Sequence, residues 1–120
     1  MRVFKNTRFT RFADKEGIAD KSLRETVDLL DAGQFDADLG GDVYKMRMAR
    51  GGEGKSGGYR VVVIFKRGQR TFYVEGFAKS GKGNISQREK RDYKELAKDY
   101  LSLSEAVIDN AVKTGKFVEI

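Results

Sequence analysis

The sequence predicts an α+β fold: an N-terminal helical hairpin and C-terminal helices packed on one face of a small antiparallel sheet. Three observations carry that expectation. Apolar residues recur at helical spacing before Gly33 and again after Ser86, they alternate with period 2 in between, and the alternation leaves one strand face rich in Lys and Arg. An order of helices, strands, then helices fits a sheet with its apolar face covered and the other face open to solvent.

Phe9, Phe12 and Ala13 stand at i, i+3, i+4 of a first helix, and Gly17 ends it because glycine readily takes the left-handed cap conformation. Ala19, Leu23, Val27 and Leu30 form the stripe of a second helix, with Ser22 and Glu25 at capping-box spacing and Gly33 beyond its end. From Asp42 the period is 2: Tyr44, Met46 and Met48 point one way, Val43, Lys45, Arg47 and Ala49 the other. A glycine-rich loop over 51–58 leads to a β-branched run in which Tyr59, Val61, Val63 and Phe65 oppose Arg60, Val62, Ile64 and Lys66. A short turn over 67–69 follows, and the next strand sets Phe72, Val74, Gly76 and Ala78 against Tyr73, Glu75, Phe77 and Lys79. Ser86 and Glu89 form a capping box ahead of a helix carrying Tyr93, Leu96, Ala97, Tyr100 and Leu101. Ser102 and Glu105 repeat that spacing before a last helix with Leu103, Val107, Ala111 and Val112, which Gly115 ends.

Composition narrows the chemistry. The chain has 120 residues, Lys+Arg 24 against Asp+Glu 18, and neither Cys nor His nor Pro. It is long enough for one core without disulfides, and too short for a second domain. Without Cys and His, thiol nucleophiles, zinc fingers and imidazole catalysis are excluded, leaving Lys, Arg, Tyr, Ser, Asp and Glu to do any chemistry. No run approaches the roughly 18 apolar residues of a membrane span, and Arg2, Lys5, Arg8 and Arg11 break up the first apolar residues, so the expected location is the cytoplasm, away from membrane. Residues 41–91 hold thirteen Lys/Arg and four Asp/Glu, a net charge of +9 in a chain whose total is +6. Such concentration suits a polyanion.

Ala49 to Ser56 reads A-x-x-x-x-G-K-S, close to a phosphate loop. The motif works by presenting amides at a helix N-terminus, and here a strand follows, which argues against nucleotide hydrolysis. Asp36, Asp38 and Asp42 match no calcium spacing and read as turn and cap residues, so no metal is expected. The strongest constellation crosses three strands: Lys45 and Arg47, then Arg60, then Lys79, with Arg50, Lys55 and Lys82 in the neighbouring loops. Tyr73 and Phe77 fall on the same face, where rings could stack on unpaired bases of single-stranded RNA.

The run Asp38-Leu39-Gly40-Gly41-Asp42-Val43-Tyr44-Lys45-Met46-Arg47, with Gly54-Lys55-Ser56-Gly57-Gly58-Tyr59-Arg60 and Tyr73-x-x-Gly76-Phe77-Ala78-Lys79, resembles the RelE/HigB toxins of type II toxin–antitoxin systems, nearest the HigB-like branch. The similarity covers residues 4–102 of a single domain spanning 1–120 and leaves 103–120 as a C-terminal extension. The resemblance implies a curved sheet, a cognate antitoxin, and ribosome-dependent cleavage of mRNA without metal or cofactor. It places Lys55, Arg60 and Lys79 at the family's functional basic positions, with Arg47 on the preceding strand. For attack of a ribose 2′-OH on the adjacent phosphate, Arg60 is the expected bidentate phosphate clamp, and Lys55 and Lys79 share proton transfer and charge stabilisation. Tyr73 or Glu75 is an alternative base. Two readings without catalysis stand beside this one: a ParE-type inhibitor of DNA gyrase, and a plain RNA-binding module.

Overall fold

The structure is a computed structural model and describes residues 1–50, 54–79 and 84–120, the side chains of residues 50 and 54–57 being outside that description. The chain opens on a strand, β1 (Arg2–Asn6), ahead of α1 (Thr7–Glu16) and α2 (Asp20–Asp31). Four strands follow in order β2 (Ala37–Gly40), β3 (Val43–Arg50), β4 (Gly54–Lys66) and β5 (Arg70–Ala78). Then come α3 (Gln87–Ser102), α4 (Glu105–Lys113) and β6 (Phe117–Glu119).

Three features of the expected fold are corrected. The helical hairpin is not N-terminal, because β1 precedes it, and the six-stranded sheet, ordered β2-β3-β4-β5-β1-β6, is mixed: β1 runs parallel to β5 and antiparallel to β6. Nor do the helices share one face. Phe9, Ala13, Leu23, Val27 and Leu30 of α1 and α2 pack on Met46, Met48, Tyr59, Val61, Val63 and Phe65. Tyr93, Ala97, Ile108 and Ala111 of α3 and α4 pack with Val43, Val62, Ile64, Phe72 and Val74 on the opposite side. The physical reason lies in β4, where residues 61–65 are five consecutive apolar residues, none more than 4% exposed. A strand buried on both faces needs a helical layer on each.

Local signals set the element ends. The Asn6 side chain accepts the Phe9 N–H at 2.9 Å to start α1, and Gly17, at φ 69°, closes it. Gly41 and Asp42, at φ 60° and 66°, make the two-residue turn that joins β2 to β3, both central residues being left-handed as a primed hairpin turn requires. Ser86 and Glu89 form the expected reciprocal cap of α3. The other two boxes shift: α2 begins after Ala19, with no side-chain cap, and Ser104 rather than Ser102 caps α4 through the Val107 N–H.

The C-terminal segment completes the sheet. β6 pairs with β1, and the Phe117 ring lies 5.9 Å from Phe4, 5.3 Å from Phe72 and 5.1 Å from Tyr100. Arg2 reaches Glu105 at 2.6 Å, Asp109 at 2.9 Å and Glu119 at 2.9 Å, while Arg70 donates to the Leu103 carbonyl at 2.6 Å and to Glu105 at 3.0 Å. Two arginines of β1 and β5 thus hold α4 and β6 in place.

Gly76 explains one fixed point of the packing. A Cβ there would run into the ring of Phe12, which meets Tyr59 edge-on at 5.5 Å. Gly76→Ala is expected to cost about 1–3 kcal/mol by overpacking, measured by urea denaturation. The same change in a Phe12→Ala background is expected to cost much less, since the clash partner is gone; an equal cost in both backgrounds would show the ring is not its source.

Candidate functional site

The basic residues of β3, β4 and β5 are brought together by register. Arg47 pairs with Arg60, which pairs with Phe77, so the three form one row across the sheet on the α3 side. One step along the strands lies the row Lys45, Val62, Glu75 on the same face. Lys79, one residue past β5, is exposed, and its backbone N–H donates to the Gly58 carbonyl at 3.2 Å, which keeps it beside the start of this row.

The residue that organises the cluster is Asp36, which the sequence marked only as a turn or cap residue. Asp36, in the connection from α2 to β2, places Oδ1 2.7 Å from Arg47 Nε and Oδ2 3.3 Å from Lys45 Nζ and 3.8 Å from Arg60 Nε. Its backbone N–H donates to the Lys45 carbonyl at 2.9 Å, fixing it to β3. Burial pushes the Asp36 carboxyl up, but hydrogen bonds from Lys45 and Arg47, aided by their charges, outweigh it and hold the group below the usual carboxylate range. No local sequence signal marks this role, because only the pairing of β3 with β4 brings Lys45, Arg47 and Arg60 around one acid.

A depressed carboxyl stabilises the fold above its unfolded pKa of about 3.9 and stops doing so as pH falls through the lower folded value. Glu105 and Glu119, hydrogen-bonded chiefly by Arg70 and Arg2 respectively, are shifted the same way. Wild type is therefore expected to lose urea resistance progressively below about pH 4, with a shallower loss in Asp36→Asn. Identical acid profiles for the two proteins would remove Asp36 from the account.

Exposure sorts the candidates. The Arg47 side chain is 50% exposed and Lys79 lies open to solvent, whereas Arg60 is 5% exposed and also donates to the Tyr59 carbonyl at 3.3 Å. Lys45 is mostly covered, and Phe77 is half-buried against the α3-side core. Tyr73 is a correction. A β-bulge between Val62 and Val63 breaks the alternation of β5, so Tyr73 pairs with Val63 on the helical-hairpin side, fully buried. Its hydroxyl donates to the Leu23 carbonyl at 2.6 Å, and burial pushes its pKa far up, so it neither stacks on bases nor serves as a base. Glu75 stays on the α3 side, ion-paired to Arg8 at 3.1 Å and accepting from the Tyr93 hydroxyl at 3.5 Å. Burial, then the charges of Glu75 and Glu89, push Tyr93 up as well. The side chains of Arg50 and Lys55, and Lys82 altogether, lie outside the described residues. The backbone of 54–56 is strand, without the helix start a phosphate loop needs.

Cations gathered on one end of a sheet and only partly offset by one described acid leave a net positive surface that suits an anionic polymer. The family model for the RelE toxin of the RelE/RelB toxin–antitoxin system matches residues 1–120. The chain belongs to the RelE toxin family. It is thus a toxin-antitoxin toxin with an antitoxin as partner, and the match includes residues 103–120, where α4 and β6 lie. No curated protein matches its sequence. Among the described residues, no helix of this RelE-family chain is long and apolar enough to cross a membrane.

Proposed function

We propose that this RelE-family toxin is a ribosome-dependent, metal-independent endoribonuclease that cuts mRNA during translation. The observation that supports it best is the row of Arg47 and Arg60 beside Lys45 and Lys79 on one sheet face. Attack of a ribose 2′-OH on the next phosphate needs the phosphate oriented, the charge of the phosphorane stabilised, and two protons moved.

Arg47 is the reachable guanidinium, and its planar fork matches two phosphate oxygens. Arg60, tucked beneath with Asp36, supplies fixed positive charge from behind rather than the clamp expected from sequence. Lys79, with Lys55, takes the proton transfers and part of the phosphorane charge.

Primer extension on a transcript in a cell-free translation system tests the reading, with the same transcript lacking a start codon as comparison. Cuts in the translated message alone are the expected result. Equal cutting of both would overturn ribosome dependence, and an intact message under both conditions would overturn cleavage itself.

A further inference from the structure

We propose that Asp36 is a built-in stand-in for phosphate: its carboxylate occupies the anion position shared by Lys45, Arg47 and Arg60, and RNA binds by exchanging a phosphodiester for it. The inference deepens the reading of this face as an RNA site and rests on that part of it.

The geometry points to exchange in three ways. The two carboxylate oxygens are divided among separate cations, Oδ1 to Arg47 and Oδ2 to Lys45 and Arg60, as two non-bridging phosphate oxygens would be. The half-exposed Arg47 can be approached from solvent without unfolding any element. A concavity of about 280 Å³, lined by Leu29, Gln34, Phe35, Asp36, Met46 and Arg47, opens directly beside the pair. Phe35, next to Asp36 in the chain, is 43% exposed with its ring 5.1 Å from that of Tyr44 on the helical-hairpin side, so it offers an aromatic surface to a base turned around the sheet edge from the bound phosphate.

The energetic consequence follows from charge. A phosphodiester carries one negative charge and Asp36, tethered to β3 by its backbone, stays close after it is displaced, so the incoming phosphate gains the cations but loses the carboxylate's ion pairs and meets its repulsion. Free RNA then gains little at this position, and binding depends on contacts made elsewhere. A neutral residue at 36 removes the competitor and leaves the cations to the phosphate.

The test is fluorescence anisotropy of the full chain with a labelled single-stranded oligonucleotide whose 2′-deoxy sugars prevent cleavage. Asp36→Asn is expected to lower Kd by about 3- to 10-fold and to steepen the slope of log K against log salt by about 0.7, one extra phosphate neutralised on a single strand. An unchanged or higher Kd in a folded variant overturns the proposal. If Asp36→Asn does not fold, wild type decides: the ¹⁵N resonance of Arg47 Nε is expected to move as the oligonucleotide saturates, and a resonance that stays put overturns exchange. Binding is read without cleavage, so the outcomes separate. A toxin that cuts message while Asp36→Asn binds no tighter keeps its activity and loses this mechanism; tighter binding without cutting does the reverse.

Discussion

A chain ended after Ser102 is expected not to fold. The truncation deletes Ile108, fully buried, and Phe117, 6% exposed, whose ring packs with Phe4, Phe72 and Tyr100. Removing side chains of these kinds singly costs about 2–5 kcal/mol for the Ile and about 3–5 kcal/mol for the Phe. Together they approach the 5–15 kcal/mol, roughly, that holds a whole domain. The loss does not stop there. Arg2 and Arg70 lose every carboxylate partner described for them, and β1 becomes an unpaired sheet edge. Circular dichroism with heating is the measurement: the truncated chain should show no cooperative transition, whereas a transition within a few degrees of the full chain would make α4 and β6 an appendage.

What the sequence disclosed follows the range of the forces involved. The elements that local patterning defines were legible: the Phe9, Phe12, Ala13 stripe with its Gly17 cap, the Ser86 and Glu89 box, and strands β3, β4 and β5. What depends on pairing across the chain was not. β1 is five residues long and gains its place by lying parallel to β5, some seventy positions on, which no local period announces. The coverage of both faces was written in residues 61–65, an unbroken apolar run, but strict alternation assigned Val62 and Ile64 to an open side. Tyr73 was misplaced because one bulged residue reverses every orientation beyond it. Asp36 was missed because its role is to meet cations from two other strands, and in sequence it looks like any turn aspartate.

Exposure makes Arg47 and Lys79 the pair whose loss should abolish RNA cleavage with least damage to the fold. Arg47→Ala gives up a 2.7 Å ion pair, yet Asp36 keeps Lys45 and Arg60, and Lys79 has a side chain open to solvent. Thermal stability should therefore shift little, in contrast to Arg60→Ala, which hollows out a buried position. On activity the order reverses. A preorganised donor aimed at developing charge contributes about 10²- to 10³-fold in rate, so the double variant Arg47→Ala, Lys79→Ala should cut translated message at least about 10³-fold more slowly. Arg47→Lys separates charge from shape: an ammonium keeps the charge but loses the fork, and cleavage should fall by an intermediate factor of about 10. Lys98→Ala, whose exposed side chain pairs only with exposed Glu95 among the described residues, serves as the comparison with unchanged cutting. Single-turnover primer extension resolves all four proteins. Wild-type rates in the double variant would move the chemistry off this face, whereas a graded loss through Arg47→Lys to the double variant, with Lys98→Ala unchanged, would place the scissile phosphate over the exposed end of the Arg47 to Phe77 row.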